Sequence, residues 1–168
     1  MRSSVALVLA ACASICATGA ACSPRDEAVW LKKTSPEMAE AMKSAQASLP
    51  VFWKRIDSGD PDVTSPMVKV GYPTAHGGVE YLWMEVEAHS GDTVTGRIAN
   101  TPEDVPDVHE GERVVVDLVK IIDWAYFKNE KSFGQFTTRV LLVGADAEKQ
   151  REFGGDLLAP NPIESESN

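Results

Sequence analysis

Apolar positions recur first at helical spacing and then at strand spacing. Thr34-Ser35-Pro36-Glu37 combines a capping box with an early proline, and Met38, Ala41, Met42, Ala45 and Leu49 then fall on one stripe. This predicts a helix from about Pro36 to Ser48. Pro50 to Pro66 carries Ser58-Gly59-Asp60-Pro61, a strong turn signal, and is expected to be a loop. From Met67 the period becomes two: Val68, Val70 and Tyr72 alternate with Met67, Lys69 and Gly71, and Leu82, Met84, Val86 and Ala88 alternate with Tyr81, Trp83, Glu85 and Glu87. Pro73 to Gly78 suits the hairpin loop between these strands, and His89-Ser90-Gly91-Asp92 turns the chain into a third strand at Thr93 to Ala99. The Pro- and acid-rich stretch Asn100 to Glu112 reads as a loop. Arg113 to Ile122 and Trp124 to Phe127 read as strands, and Thr137 to Val143 and Ala145 to Phe153 as short helices. The sum is an α+β domain: an N-terminal helix on a strongly bent antiparallel sheet, with an SH3-like barrel as one way to close it.

The first 33 residues follow a different pattern. Arg2, an apolar run from Val5, small residues to Ala21 and then Cys22-Ser23-Pro24 read as a signal peptide over 1–21. All three cysteines, Cys12, Cys16 and Cys22, lie here, which excludes a disulfide scaffold or a thiolate metal site in the body. Gly19-Ala20-Ala21-Cys22 makes Cys22 the favoured lipidation site. Cys12, with a better small-residue box but a shorter apolar core, competes, and plain cleavage near Ala21 to a soluble periplasmic protein is the alternative. Residues 22–33 then serve as a tether, 34–158 as the domain and 159–168 as a disordered tail. Ser23 after the cysteine points to the outer membrane, as in lipoproteins of this kind, with the domain facing the periplasm.

Charge narrows the partners. The chain has 16 Lys+Arg against 25 Asp+Glu, and loss of residues 1–21 removes only one basic residue, Arg2. Nucleic acid is excluded as a partner, because counterion release needs clustered Lys and Arg. A cationic partner or plain solubility accounts for the acidity.

Candidate chemistry is sparse. His76-Gly77-Gly78 resembles an esterase oxyanion loop, but no Gly-x-Ser-x-Gly elbow accompanies it. His76, His89 and His109 fall in turns or loops without paired ligand spacing, and Asp57, Asp60 and Asp62 lack the remainder of a calcium loop. No metal or cofactor is expected. Glu85 and Glu87 share a face turned to water, whereas Glu80 shares its face with Leu82 and Met84. Asp123 follows the apolar run Val119 to Ile122 and must reach solvent or find a donor. Arg139 is its candidate partner, in an ion pair that would fix the C-terminal segment to the sheet.

Several spaced residues resemble the YegJ-like family of bacterial domains (DUF2314). They are Pro36-Glu37-Met38 with Ala41, Ala45 and Leu49-Pro50; Val68-Lys69-Val70; Glu80 with Trp83; Gly96 with Asn100 and Pro102; Ile122-Asp123-Trp124 with Tyr126; and Gly134 with Phe136-Thr137 and Leu141-Leu142. Gln135 stands where an Asn is commoner, and Asp57 to Ser65 is an insertion. The resemblance implies the domain and no chemistry. The leading expectation is a noncatalytic envelope lipoprotein, held to the membrane by its N-terminal lipid, that binds a macromolecule, inhibitor or immunity type included. A hydrolase or small-ligand site on Glu80, Asn100, Asp123 and Arg139 is the alternative, and a structural envelope component with a Trp30 and Trp53 contact patch is the third. The candidate polar cluster is Glu80, Trp83, Asn100, Asp123, Trp124, Thr137 and Arg139.

Overall fold

A computed structural model describes residues 35–164. The signal peptide, Cys12, Cys22, the tether and Trp30 lie outside the described residues. Helix α1 (Pro36–Asp57) is followed by strands β1 (Thr64–Pro73), β2 (Val79–Ser90), β3 (Thr93–Ile98) and β4 (Arg113–Asp117). A 3₁₀ turn (Leu118–Lys120) leads to β5 (Ile121–Lys128) and β6 (Lys131–Gly134), and α2 (Phe136–Leu142), α3 (Ala147–Glu152) and a second 3₁₀ turn (Gly155–Leu157) follow, giving an α+β chain.

The helix starts where the pattern placed it. Ser35 is the N-cap, its hydroxyl accepting from the Met38 N–H, and Pro36 takes the first turn, where a missing N–H costs nothing. It does not stop at Ser48 as expected but runs through Pro50 to Asp57. An interior proline costs about 3 kcal/mol, and packing beyond it offsets that. Phe52 is fully buried and stacks on Trp124 at 5.3 Å, and Trp53 packs edge-on to Phe52.

All strand pairings are antiparallel, in the order β4-β3-β2-β1-β5-β6. The expected Arg113 to Ile122 strand is in fact two strand segments divided by the 3₁₀ turn. That turn explains the bend. In a flat sheet β4 and β5 would lie four strand spacings apart, about 19 Å at ~4.8 Å each. Three connecting residues reach only roughly 10–14 Å, so the sheet must curl until the two strands approach. Bulges in the β1/β5 and β2/β3 pairings help it do so. The sheet stays open, so the barrel option is not realised: β4 and β6 are not paired with each other. Inside the curl, Val68, Val70, Met84, Val94, Val116, Ile121, Trp124 and Tyr126 form one core with Ala45 and Phe52.

The tail expected from Ala159 is held in place over its first six residues. Ala159 is buried and its N–H donates to the Ser132 carbonyl, and Gly134 N–H donates to Pro162 O. The Glu164 carboxylate meets Arg55 (3.0 Å) and Lys128 (2.9 Å). This segment covers the outer edge of β6.

Candidate functional site

A cleft of about 530 Å³ opens between the start of α1, the face of β1 and β2, and α2. Met38 and Met42 come from α1, Leu141 from α2 and Ile122 from β5, and Trp83 and Lys69 form the floor. Ile122 reaches the cleft because of a bulge: Lys69 and Val70 are consecutive, yet their β5 partners are Asp123 and Ile121, so Ile122 is the extra residue. Glu80, Glu103 and Asp104, with Thr74 beside them, form an acidic rim, where the β1–β2 hairpin meets the long β3–β4 loop. His76 Nδ1 joins Asp104 at 2.8 Å, and the Ala75 N–H donates to Asp104 O, tying the two loops together.

Each acid and amide expected at the site is committed to backbone. Glu80 accepts from the N–H groups of Glu103 and Asp104, both at 2.9 Å, and so shapes the long loop. Asn100 Oδ1 accepts from Trp83 N–H at 2.7 Å. Asp123 is fully buried. It accepts from the N–H groups of Trp124 (2.8 Å), Phe136 (3.1 Å) and Thr137 (2.8 Å), and from the Thr137 hydroxyl at 2.6 Å. Gln135, at the N-cap of α2, makes no side-chain cap bond, so a carboxylate from a neighbouring strand caps that helix instead.

Trp83, Lys69 and Asp123 are in register across β2, β1 and β5. Lys69 is buried, its ammonium 4.5 Å from the centre of the Trp83 ring, and it donates to Thr137 Oγ1 at 2.9 Å. Thr137 in turn donates to Asp123, so one hydroxyl links cation and carboxylate. Burial pushes the Asp123 carboxyl above the ordinary carboxylate range, and the Lys69 charge and the bonds from Thr137 and Trp124 pull it back.

A family model described as an uncharacterized protein conserved in bacteria (DUF2314) matches residues 35–157. The chain belongs to the DUF2314 family. It is also 27% identical over 121 residues to the uncharacterized protein YegJ of Escherichia coli (strain K12), covering 72% of this chain and 77% of YegJ. No solved structure matches it.

Within this DUF2314 domain, Glu80, Trp83, Asn100 and Thr137 line the cleft, and Asp123 stands behind Thr137. Trp124 and Arg139 do not line it. Trp124 points into the core, its indole N–H donating to Ala45 O (3.1 Å) and Ser48 Oγ (3.0 Å). The expected Asp123–Arg139 ion pair is not formed. Arg139 donates to the carbonyls of Gly134 and Ala159, both at 2.9 Å, and so holds the C-terminal segment through backbone contacts. Burial lowers the Arg139 pKa, and the Asp123 charge opposes that shift.

Glu85 and Glu87 are exposed, as expected, and Glu87 bridges Arg97 and Arg113 at 2.7 Å each. His89 is not in a turn but in β2, where its ring stacks on Trp53 at 4.4 Å and meets Asp57 at 2.9 Å, so Trp53 is a packing residue. Asp60 pairs with Lys128. Lys69 is the residue that sequence reasoning missed. Its signal was a lysine in mid-strand with Met67 and Gly71 as same-face neighbours, where a solvated face would carry more polar residues.

Proposed function

We propose that this chain is a noncatalytic cell-envelope lipoprotein whose cleft receives a cationic group of a partner protein, as an inhibitor or immunity-type domain would. One observation carries this reading: the cleft has apolar walls and a rim bearing the Glu103 and Asp104 carboxylates, while Glu80 and Asp123 are spent on N–H groups. General acid–base catalysis needs a carboxyl group that can exchange a proton with substrate. Glu80 has both oxygens on loop N–H groups, and Asp123 is sealed behind Thr137. A lysine or arginine side chain suits such a cleft, its aliphatic stem against Met42 and Leu141 and its charge at the Glu103 and Asp104 rim.

The test is affinity capture with the tagged, membrane-extracted chain and a variant carrying Val79→Arg and Glu103→Lys, both exposed positions on the cleft. A stoichiometric protein held by the parent and lost from the variant supports the reading; equal retention by both refutes a role for the cleft. Intact mass of the extracted protein checks the anchor, where an acylated Cys22 terminus is expected. An unmodified chain beginning elsewhere would sink the lipoprotein half of the proposal.

The cleft volume favours a second reading, a small-ligand site, since such pockets run about 300–1,000 Å³. Thermal-shift screening with small amines separates the two. Saturable stabilisation lost in Trp83→Ala, with no captured partner, moves the assignment to a small cationic ligand.

A further inference from the structure

The two edges of the sheet are treated differently. Outside β6, the chain's own segment is laid down as a further strand-like run: Leu158 forms a parallel bridge with Ser132, Ala159 N–H donates to Ser132 O, and Gly134 N–H donates to Pro162 O. β4 ends the sheet on the other side. Val115, 62% exposed, stands at its centre, and Val119, 83% exposed, follows it.

Ladder geometry shows which backbone groups of β4 face outward. Ile98 N–H donates to Glu112 O, and Leu118 N–H donates to Asp92 O, so the even-numbered residues bond β3. The register agrees, with Gly96 opposite Val114 and Val94 opposite Val116. Arg113, Val115 and Asp117 therefore turn their N–H and C=O groups away from β3. Their side chains share one face, all exposed, while Val116 is buried on the other.

We infer that β4 is a self-association edge, pairing antiparallel with β4 of a second copy about a twofold axis at Val115. The sequence of the strand is complementary to its own reverse in this register. Val115 meets Val115 of the second copy, and Val114 meets Val116. Arg113 meets Asp117, so both ends of the strand place opposite charges across the join. The paired residues are the ones whose backbone groups point outward, so Arg113, Val115 and Asp117 each complete both of their hydrogen bonds. A one-residue slip would instead bring inward-pointing groups to the join and lose the charge pairing. Exposed β4 edges invite pairing with another chain unless something covers or blunts them. Here the facing charges attract each other in the self-pair and give a foreign strand no such match.

Two five-residue strands make a small interface, below the ~1,000 Å² of a stable complex, so a weak dimer is expected. Sedimentation equilibrium of the full chain in mild detergent measures it. Val115→Lys places like charges at the twofold and should weaken association at least about tenfold. Asp117→Arg faces Arg113 across the join and should do the same. Adding Arg113→Glu to Asp117→Arg should restore association to within roughly threefold of the parent, which lost folding could not mimic. A short bismaleimide should also join Val115→Cys copies at the introduced thiol, located by mass spectrometry, and should not join Val143→Cys copies. A chain that stays monomeric to ~1 mM overturns the inference, as does a dimer indifferent to Val115→Lys.

Discussion

Asp123→Asn is the most informative single change in the domain. The wild-type carboxylate accepts from three backbone N–H groups and the Thr137 hydroxyl, with no exposure to water. An asparagine offers one acceptor oxygen, so its amide must face either the Phe136 and Trp124 N–H groups or those of Thr137. At least one buried N–H is then unsatisfied, at about 1–3 kcal/mol. Lys69 also loses the negative charge behind Thr137 and keeps the Trp83 ring and the Thr137 hydroxyl, so this adds part of the about 3–5 kcal/mol that breaking a buried pair costs. Against these stands the desolvation of the carboxylate, which burial already penalises enough to raise its pKa. The net expectation is a loss of about 3 kcal/mol, or roughly 6–12 °C in Tm for a chain of this size. Urea unfolding measures it, with hydrogen exchange at the α2 amides as the local readout. Lys69→Met completes a double-mutant cycle. Removing both charges should cost less than the sum of the single changes by about 1–3 kcal/mol. An Asp123→Asn chain within ~0.5 kcal/mol of wild type, or an additive cycle, would refute the argument that hydroxyl-bridged cation and carboxylate hold α2 to the sheet.

Gly134→Ala should destabilise by about 3 kcal/mol or more, because a Cβ at φ +74° would run into the Trp124 carbonyl and ring, whereas Gly154→Ala, at φ +63° with only Leu157 at 3.8 Å, should cost about 1 kcal/mol by urea titration. Glu80→Gln keeps one acceptor for two N–H groups and should cost about 1–2 kcal/mol, with faster hydrogen exchange at Glu103 and Asp104. Lys128 holds both Asp60, in the loop after α1, and Glu164, in the C-terminal segment, and these contacts should weaken at opposite ends of the pH scale. Its hydrogen bond to Lys128 lowers the Asp60 pKa, so that contribution is present above the ordinary Asp value near ~3.9 and is lost as pH falls through the depressed one. Bonds from Asp60 and Glu164 raise the Lys128 pKa, so its contribution is present below about 10.4 and is lost as pH rises through the raised value. Urea stability against pH reads the acid limb and limited proteolysis of residues 159–164 the alkaline one, and profiles flat through both limits would contradict the argument.

The period-two stretches were legible because Val68, Val70, Leu82 and Met84 are buried on one face while the other face of the hairpin is mostly half-buried or exposed, Lys69 excepted, so alternation survives in composition. The observed register pairs Val68 with Met84 and Val70 with Leu82, the apolar sets that alternation picks out. Helix α1 was legible to Ser48 and not beyond. Pro50 is a true local stop signal, and only the burial of Phe52 against Trp124 outweighs it. The candidate site was half legible. Glu80, Trp83, Asn100 and Thr137 converge, but Arg139 turns to the carbonyls of Gly134 and Ala159, and the cation near Asp123 is Lys69, separated from it by more than fifty residues of chain.

The amino-acid sequence by itself determined the α+β class, the helix start, the alternating faces of β1 and β2 and the acidic charge. These follow from capping, turn chemistry and periodicity, each of which acts over a few neighbouring residues. The tertiary structure alone decided that α1 passes through a proline, that a strand aspartate caps a distant helix, and that the 3₁₀ turn forces the sheet to curl. It also decided which sheet edge the chain covers itself. Those outcomes depend on which buried donors and apolar faces meet across the fold, and contact free energies between residues far apart in the chain leave little mark on local sequence.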